Sequence, residues 1–201
     1  MSRRLTLLAL LLGGCASSAA TRSLDDTVDS SIIQVFPEEG RRWSYEAENE
    51  VIIALDRLDA ARDKRLTAEA EVAAAERAID IAAKRGGQGR EVAEARRVVA
   101  DAEVDRADSE ITTFELGVLC ARAQLELTKA QLAVRFDLPV EEDYVKGFEA
   151  QYQACADEMA QARTEAERRA KAALDAKEKW RQTRAEFVRR TGDHNHGLWI
   201  D

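Results

Sequence analysis

Proline is almost missing. Two residues in 201, Pro37 and Pro139, leave the chain with few internal helix breakers. Aromatic residues make up only 5%, too few for the mixed core of a compact α/β enzyme. Histidine occurs twice, at His194 and His196, so no body segment offers an imidazole for acid–base work or metal ligation. No apolar run reaches the ~18 residues needed to cross a bilayer as a helix. An excess of positive charge is lacking too: 30 bases face 38 acids, for a net charge of −8. Acids and bases alternate throughout, which excludes a basic face for nucleic acid and charge-driven adsorption to an anionic membrane.

What the chain does have is alanine, glutamate, lysine, leucine and arginine at helical spacing, the composition of long helices and coiled coils. The strongest stretch runs from Val145 to Phe187. Every seventh residue is Val145, Tyr152, Met159, Ala166, Ala173, Trp180 and Phe187, with no polar interruption. Three residues on lie Phe148, Cys155, Ala162, Arg169, Ala176, Thr183 and Arg190. This is an a/d seam over six heptads, which predicts a long helix laid against other helices.

Two earlier stretches keep the same beat. Val51, Leu58, Arg65, Val72 and Ile79 are followed three residues later by Ala54, Ala61, Ala68, Ala75 and Ala82. Alanine at all five positions allows close backbone approach along one edge. Ser44 reads as the N-cap of this helix, with Glu46 and Glu48 in its first turn. It stops at Gly86-Gly87-Gln88-Gly89, which lacks the Lys-Ser/Thr of a phosphate loop and reads as a turn. The next helix carries Val104, Ile111, Val118, Leu125 and Leu132, accompanied by Ala93, Ala100, Ala107, Phe114, Ala121 and Thr128. Its first a-type position is Arg97, so its start is expected to pack less firmly. Asp137-Leu138-Pro139 breaks it.

The expected helices span about 44–85, 90–136 and 140–191. Two short breaks between long helices of similar length call for antiparallel neighbours. The fold class is therefore all-α: an elongated antiparallel three-helix coiled-coil bundle over 43–191, with a flexible N-terminal tether and a C-terminal tail at 192–201. Arg65 and Arg169 sit on the seams, where they either snorkel to the edge, the plainer reading, or pair with an acid across the helices. Acid-before-base pairs such as Glu165/Arg169, Asp175/Lys179 and Glu186/Arg190 clothe the outer faces.

The cysteines test this folding. Cys120 lies eighteen residues before Leu138 and Cys155 seventeen after it, so an antiparallel hairpin puts them at one height. A Cys120–Cys155 disulfide is expected. The opposing consideration is register: Cys155 is a d position, whereas Cys120 falls at c when Val118 is a.

At the N-terminus, Arg3 and Arg4 precede an apolar run, Leu5 to Leu12, and then Gly13-Gly14-Cys15. Eight residues, apolar but for Thr6, make a signal peptide and not a spanning helix. Leu12-Gly13-Gly14-Cys15 resembles the lipobox of bacterial lipoproteins. That resemblance implies removal of residues 1–14, lipidation of Cys15 with palmitate-type acyl chains, and, with Ala16 next, the periplasmic side of the outer membrane. Several tens of CH₂ groups at ~0.8 kcal/mol each make such an anchor durable. Residues 15–42 then read as a lipid-anchored tether, with Ser31 to Phe36 either a strand or a strip docked on the helices; docking is favoured.

His194 and His196 read as a surface tail, and Leu198-Trp199-Ile200-Asp201 as a segment that folds back on the body or meets a partner. No nucleophile, paired carboxylate or metal cluster emerges, so no catalytic residue, cofactor or metal is assigned. The long alanine-rich helices resemble the periplasmic hairpins of outer-membrane efflux proteins and their adaptors, without a diagnostic motif. The expectation is a non-enzymatic cell-envelope lipoprotein. It would act as a periplasmic scaffold, spacer or assembly partner, meeting another helical protein or a copy of itself. The alternatives are a lipid-tethered module for a small ligand or metal, and an accessory of an efflux or secretion complex.

Overall fold

A computed structural model describes residues 27–140 and 142–195. All its elements are helices: α1 (Ile32–Val35), α2 (Glu38–Lys84), α3 (Arg90–Arg135) and α4 (Glu142–Thr191). Among the described residues there is no strand, and no helix is long and apolar enough to cross a membrane. With 47, 46 and 50 residues, the three long helices each extend roughly 70–75 Å.

The breaks are built from local chemistry. Gly86 and Gly87 adopt φ of 80° and 84°. The Gly87 N–H donates to the Ala82 carbonyl at 2.8 Å and the Gly86 N–H to Ala83 at 3.3 Å, closing α2 with a Schellman motif. The end of α3 repeats the design with Asp137 at φ 54°, and the Leu138 N–H donates to Ala133 at 2.9 Å. Leu138 then packs on the cluster that holds Ala133, the apolar contact that accompanies this motif.

Helix α3 is the middle layer. It packs along both α2 and α4, whereas no Cα of α2 lies within 8 Å of one in α4. Its burial pattern follows. Val118 and Cys120 are two residues apart, hence on opposite sides of a helix, and both are buried. Helix α4, flanked by one neighbour, keeps a single packed row in which Phe148, Ala173 and Phe187 are buried. The alanine edge of α2 is its contact row: Ala61, Ala68, Ala75 and Ala82 are all buried.

Cross-helix partners fix the register. Arg62 meets Glu115, Arg65 meets Asp108 and Arg96 meets Glu71, so numbers fall along α3 as they rise along α2. Between α3 and α4, Asp105 meets Arg169 and Glu91 meets Arg190 in the same reversed order. The first ladder sets Ala68 near the height of Ala107, Ala75 near Ala100 and Ala82 near Ala93. Small residues thus face small residues.

Two boundaries differ from those expected. Helix α2 starts at Glu38, not Ser44, because Pro37 caps it and Glu38 and Glu39 occupy its first turn. Ser44 is buried inside the helix and returns its hydroxyl to the Gly40 carbonyl at 3.1 Å. The stretch 31–36, placed in the tether, contains α1, whose Ile33 and Phe36 are buried against Leu132 and Ala133 of α3. Docking is therefore found, as a helical turn. Arg190, grouped with Glu186 on the outer face, in fact meets Glu91 on α3.

Candidate functional site

The most distinctive cluster lies where the N-terminal segment meets the last turns of α3. Phe36 stacks at a tilt on Phe136, ring centroids 5.8 Å apart. Gly40 makes room for this contact: a Cβ there would stand 2.6 Å from Phe136 Cε2 and 3.1 Å from Phe36 Cβ. About two to three α3 turns before Phe136, Glu126 and Lys129 are both buried, with side chains 7% and 4% exposed. Lys129 Nζ donates to Glu126 Oε1 at 2.9 Å, and the Val28 N–H donates to Glu126 Oε2 at 2.7 Å. Both carboxylate oxygens are thus satisfied, which is what a charge removed from water requires. Around them Leu127, Ala130 and Phe148 form an apolar cluster flanked by Val28, Val140, Val145 and Tyr152. The result is a clasp: residues 28–36 are strapped to the end of α3 by the Val28 N–H bond to the buried Glu126 carboxylate and by the Phe36–Phe136 ring contact.

Sequence reasoning gave no hint of Glu126 or Lys129. In a chain with 34% charged residues, an acid and a base three apart look like any solvated pair. The only available signal was their position among Ala123, Leu127 and Ala130, all buried.

The two body cysteines come together. Cys120 and Cys155 have Cα atoms 5.5 Å apart and sulfurs at disulfide distance. The register objection fails because α3 is packed on two sides, so position c faces α4 directly. Cys15 lies outside the described residues, as does His196. His194 is exposed, and among the described residues no group of three or more His, Cys, Asp or Glu side chains is placed to hold a metal ion.

The seam arginines reach across and do not simply snorkel. Arg65 bonds Asp108 on α3 at 2.5 Å and Glu69 on its own helix at 2.8 Å. The Asp108 hydrogen bond pushes the Arg65 guanidinium above its ordinary range. Arg169 bonds Asp105 and Glu165, both at 2.7 Å. Glu165 also receives Arg168 through two bonds of 2.7 and 2.6 Å. Arg168 first and Arg169 second pull its carboxyl down to about 2. Arg97 pairs with Asp101 and Glu76. Val92, Ala93 and Ala100 around it are buried, so the start of α3 packs more firmly than its arginine led one to expect.

Away from these contacts, one side of α2 is left open. Tyr45, Ile52 and Leu66 recur at multiples of seven, with Leu55 three after Ile52, and all four are exposed. They form an apolar stripe distinct from the alanine row that meets α3.

No protein-family model matches the chain, and no curated protein or solved structure matches it either.

Proposed function

We propose that the protein is a non-enzymatic lipoprotein of the bacterial cell envelope, a periplasmic scaffold or spacer that meets a helical partner or a second copy of itself. In this reading the three long helices act together as an elongated antiparallel three-helix coiled-coil bundle, anchored through Cys15. The observation that carries it is the pairing of a body roughly 70 Å long with an apolar stripe, Tyr45, Ile52, Leu55 and Leu66, that is exposed among the described residues. The reversed order of the cross-helix ion pairs supports the antiparallel arrangement. The Cys120–Cys155 juxtaposition supports an oxidising compartment, where such a bond persists.

The clasp gives this reading an orientation. From Cys15 to Thr27 the chain spans at most ~43 Å when fully extended. Along α3, Glu126 lies ~14 Å from the Arg135 end and ~54 Å from the Arg90 end. While Val28 stays on Glu126, the Gly86–Gly89 turn is beyond the tether's reach, and the 136–140 turn is within it. The 136–140 end is therefore the one that rests near the membrane, with the glycine turn directed outward.

Site-specific photocrosslinking in native cells tests the scaffold. A photoreactive residue at Ile52 or Leu66 is expected to yield a discrete adduct with an envelope protein or with this chain. The same group at Lys171, on the exposed side of α4, should yield none. Equal adducts at all three sites, or none at any, would overturn the proposal.

A further inference from the structure

Exposed large apolar side chains are divided unevenly between the two ends of the helical body. Val35, Trp43, Tyr45, Val134 and Tyr144 are all exposed, and all lie within about two turns of the end that carries the 136–140 turn. Tyr45, the furthest in, stands ~10 Å along α2 from Glu38. At the opposite end, no large apolar side chain among the described residues is exposed over 78–97 or 185–191. Every exposed aromatic side chain among the described residues belongs to the first group. All four helices contribute to it: Val35 from α1, Trp43 and Tyr45 from α2, Val134 from α3 and Tyr144 from α4. The feature therefore belongs to the end of the body and not to one face of one helix.

We propose that these side chains seat the 136–140 end directly on a lipid bilayer. The inference rests on the reading of Cys15 as a lipid anchor, whose reach keeps this end near the membrane, and adds the contact that the end makes there. Side-chain type favours lipid as the occupant. Tryptophan and tyrosine join an apolar ring to a polar edge and settle at the level of the headgroups. Arg135 stands over the Trp43 ring, 6.0 Å from its centroid. Long basic side chains such as this one, and the exposed Arg41, Arg42 and Lys146, reach headgroup phosphates from beside apolar surface. Glu38, Glu39, Asp137 and Asp143 are exposed at the same end, so its charge is mixed and the contact needs no anionic lipid. A depth of ~10 Å from Glu38 to Tyr45 matches the layer in which interfacial side chains lie.

The test uses the protein purified from the producing bacterium, carrying Trp199→Phe so that Trp43 and Trp180 are its only tryptophans. It is mixed with phosphatidylcholine vesicles whose acyl chains carry bromine, a short-range quencher of indole fluorescence. Trp180 lies ~57 Å along α4 from Glu142, beyond the quencher's reach. Bromine should cut the Trp43 emission at least ~2-fold against unbrominated vesicles, and added salt should not relieve it. Trp43→Phe should abolish the quenching. Val35→Asp and Tyr144→Glu should each weaken it, whereas Leu174→Glu, at an exposed site midway along α4, should not. The intact mass of the same sample reads lipidation separately. A lipidated chain that sediments with the vesicles while Trp43 stays unquenched overturns the contact and leaves the anchor standing. Quenching of Trp43 in a chain without lipid mass upholds the contact and removes the anchor. Blue-shifted Trp43 emission without quenching, in a particle of doubled mass, makes the occupant a second copy and overturns the contact as well.

Discussion

The Val28 N–H donates to a carboxylate oxygen of Glu126 at 2.7 Å, joining residues 98 positions apart. Through Lys129, the same carboxylate belongs to a buried ion pair. Removing one partner strands the other, so Glu126→Leu should cost about 3–5 kcal/mol in urea unfolding. The double variant Glu126→Leu/Lys129→Met should recover most of that loss. A single-variant cost under ~1 kcal/mol would mean that the pair is solvated and the clasp loose.

Gly40 sits under the Phe36–Phe136 contact. In an open helix interior, Gly→Ala would stabilise by up to ~1 kcal/mol. Here the added methyl meets Phe136 Cε2 at 2.6 Å and Phe36 Cβ at 3.1 Å, an overpacking worth about 1–3 kcal/mol. Gly40→Ala should therefore destabilise the fold by roughly 1 kcal/mol. In a Phe136→Leu background the same change should become neutral or stabilising, and thermal melts of the four-member cycle read this directly.

The cysteine pair closes a loop with a separation of 35 residues. On the loop-entropy account, such a cross-link is worth ~4 kcal/mol. Reduction should lower the urea midpoint accordingly while leaving the far-ultraviolet helix signal intact in the absence of denaturant. Alkylation of both thiols without any reductant would contradict the assignment.

Acid sensitivity should trace to Glu165, whose carboxyl Arg168 and Arg169 pull down to about 2. A group depressed on folding contributes stability above its unfolded value, near ~4.3, and loses it as pH falls toward the folded one. The loss should therefore fall between about 4.5 and 2. Asp29, lowered by the Ser31 backbone N–H, acts in the same direction. Both groups are exposed, so the effect is small and screened by salt. Glu165→Gln should flatten the melting curve's pH dependence over that window, and an unchanged slope would count against it.

Legibility in the sequence followed how each contact is encoded. The seven-residue beat of α4 predicted its packed row, because a helix with one neighbour needs one apolar stripe, and Phe148, Ala173 and Phe187 lie buried on it. The alanines of α2 were equally readable. Counting outward from Leu138 brought Cys120 to Cys155. What escaped was whatever depends on a second neighbour. Helix α3 buries both Val118 and Cys120, which no single a/d assignment can describe. Ser44 imitated an N-cap, yet Pro37 two turns earlier had already opened the helix, and the Ser44 hydroxyl donates to the Gly40 carbonyl instead. Buried Glu126 and Lys129 are invisible one-dimensionally, because burial of a charge is decided by residues 98 positions away. Which two of the three helices pack on the third is likewise not specified by heptad spacing: no Cα of α2 lies within 8 Å of one in α4.

The envelope account turns on Cys15. Intact-mass analysis of the chain purified from membranes of the producing bacterium is the most direct test. The account predicts a chain beginning at Cys15, heavier than its amino acids by diacylglyceryl and acyl groups, with Cys120 and Cys155 joined. A chain that retains residues 1–14, or that begins elsewhere with no lipid mass, would contradict it.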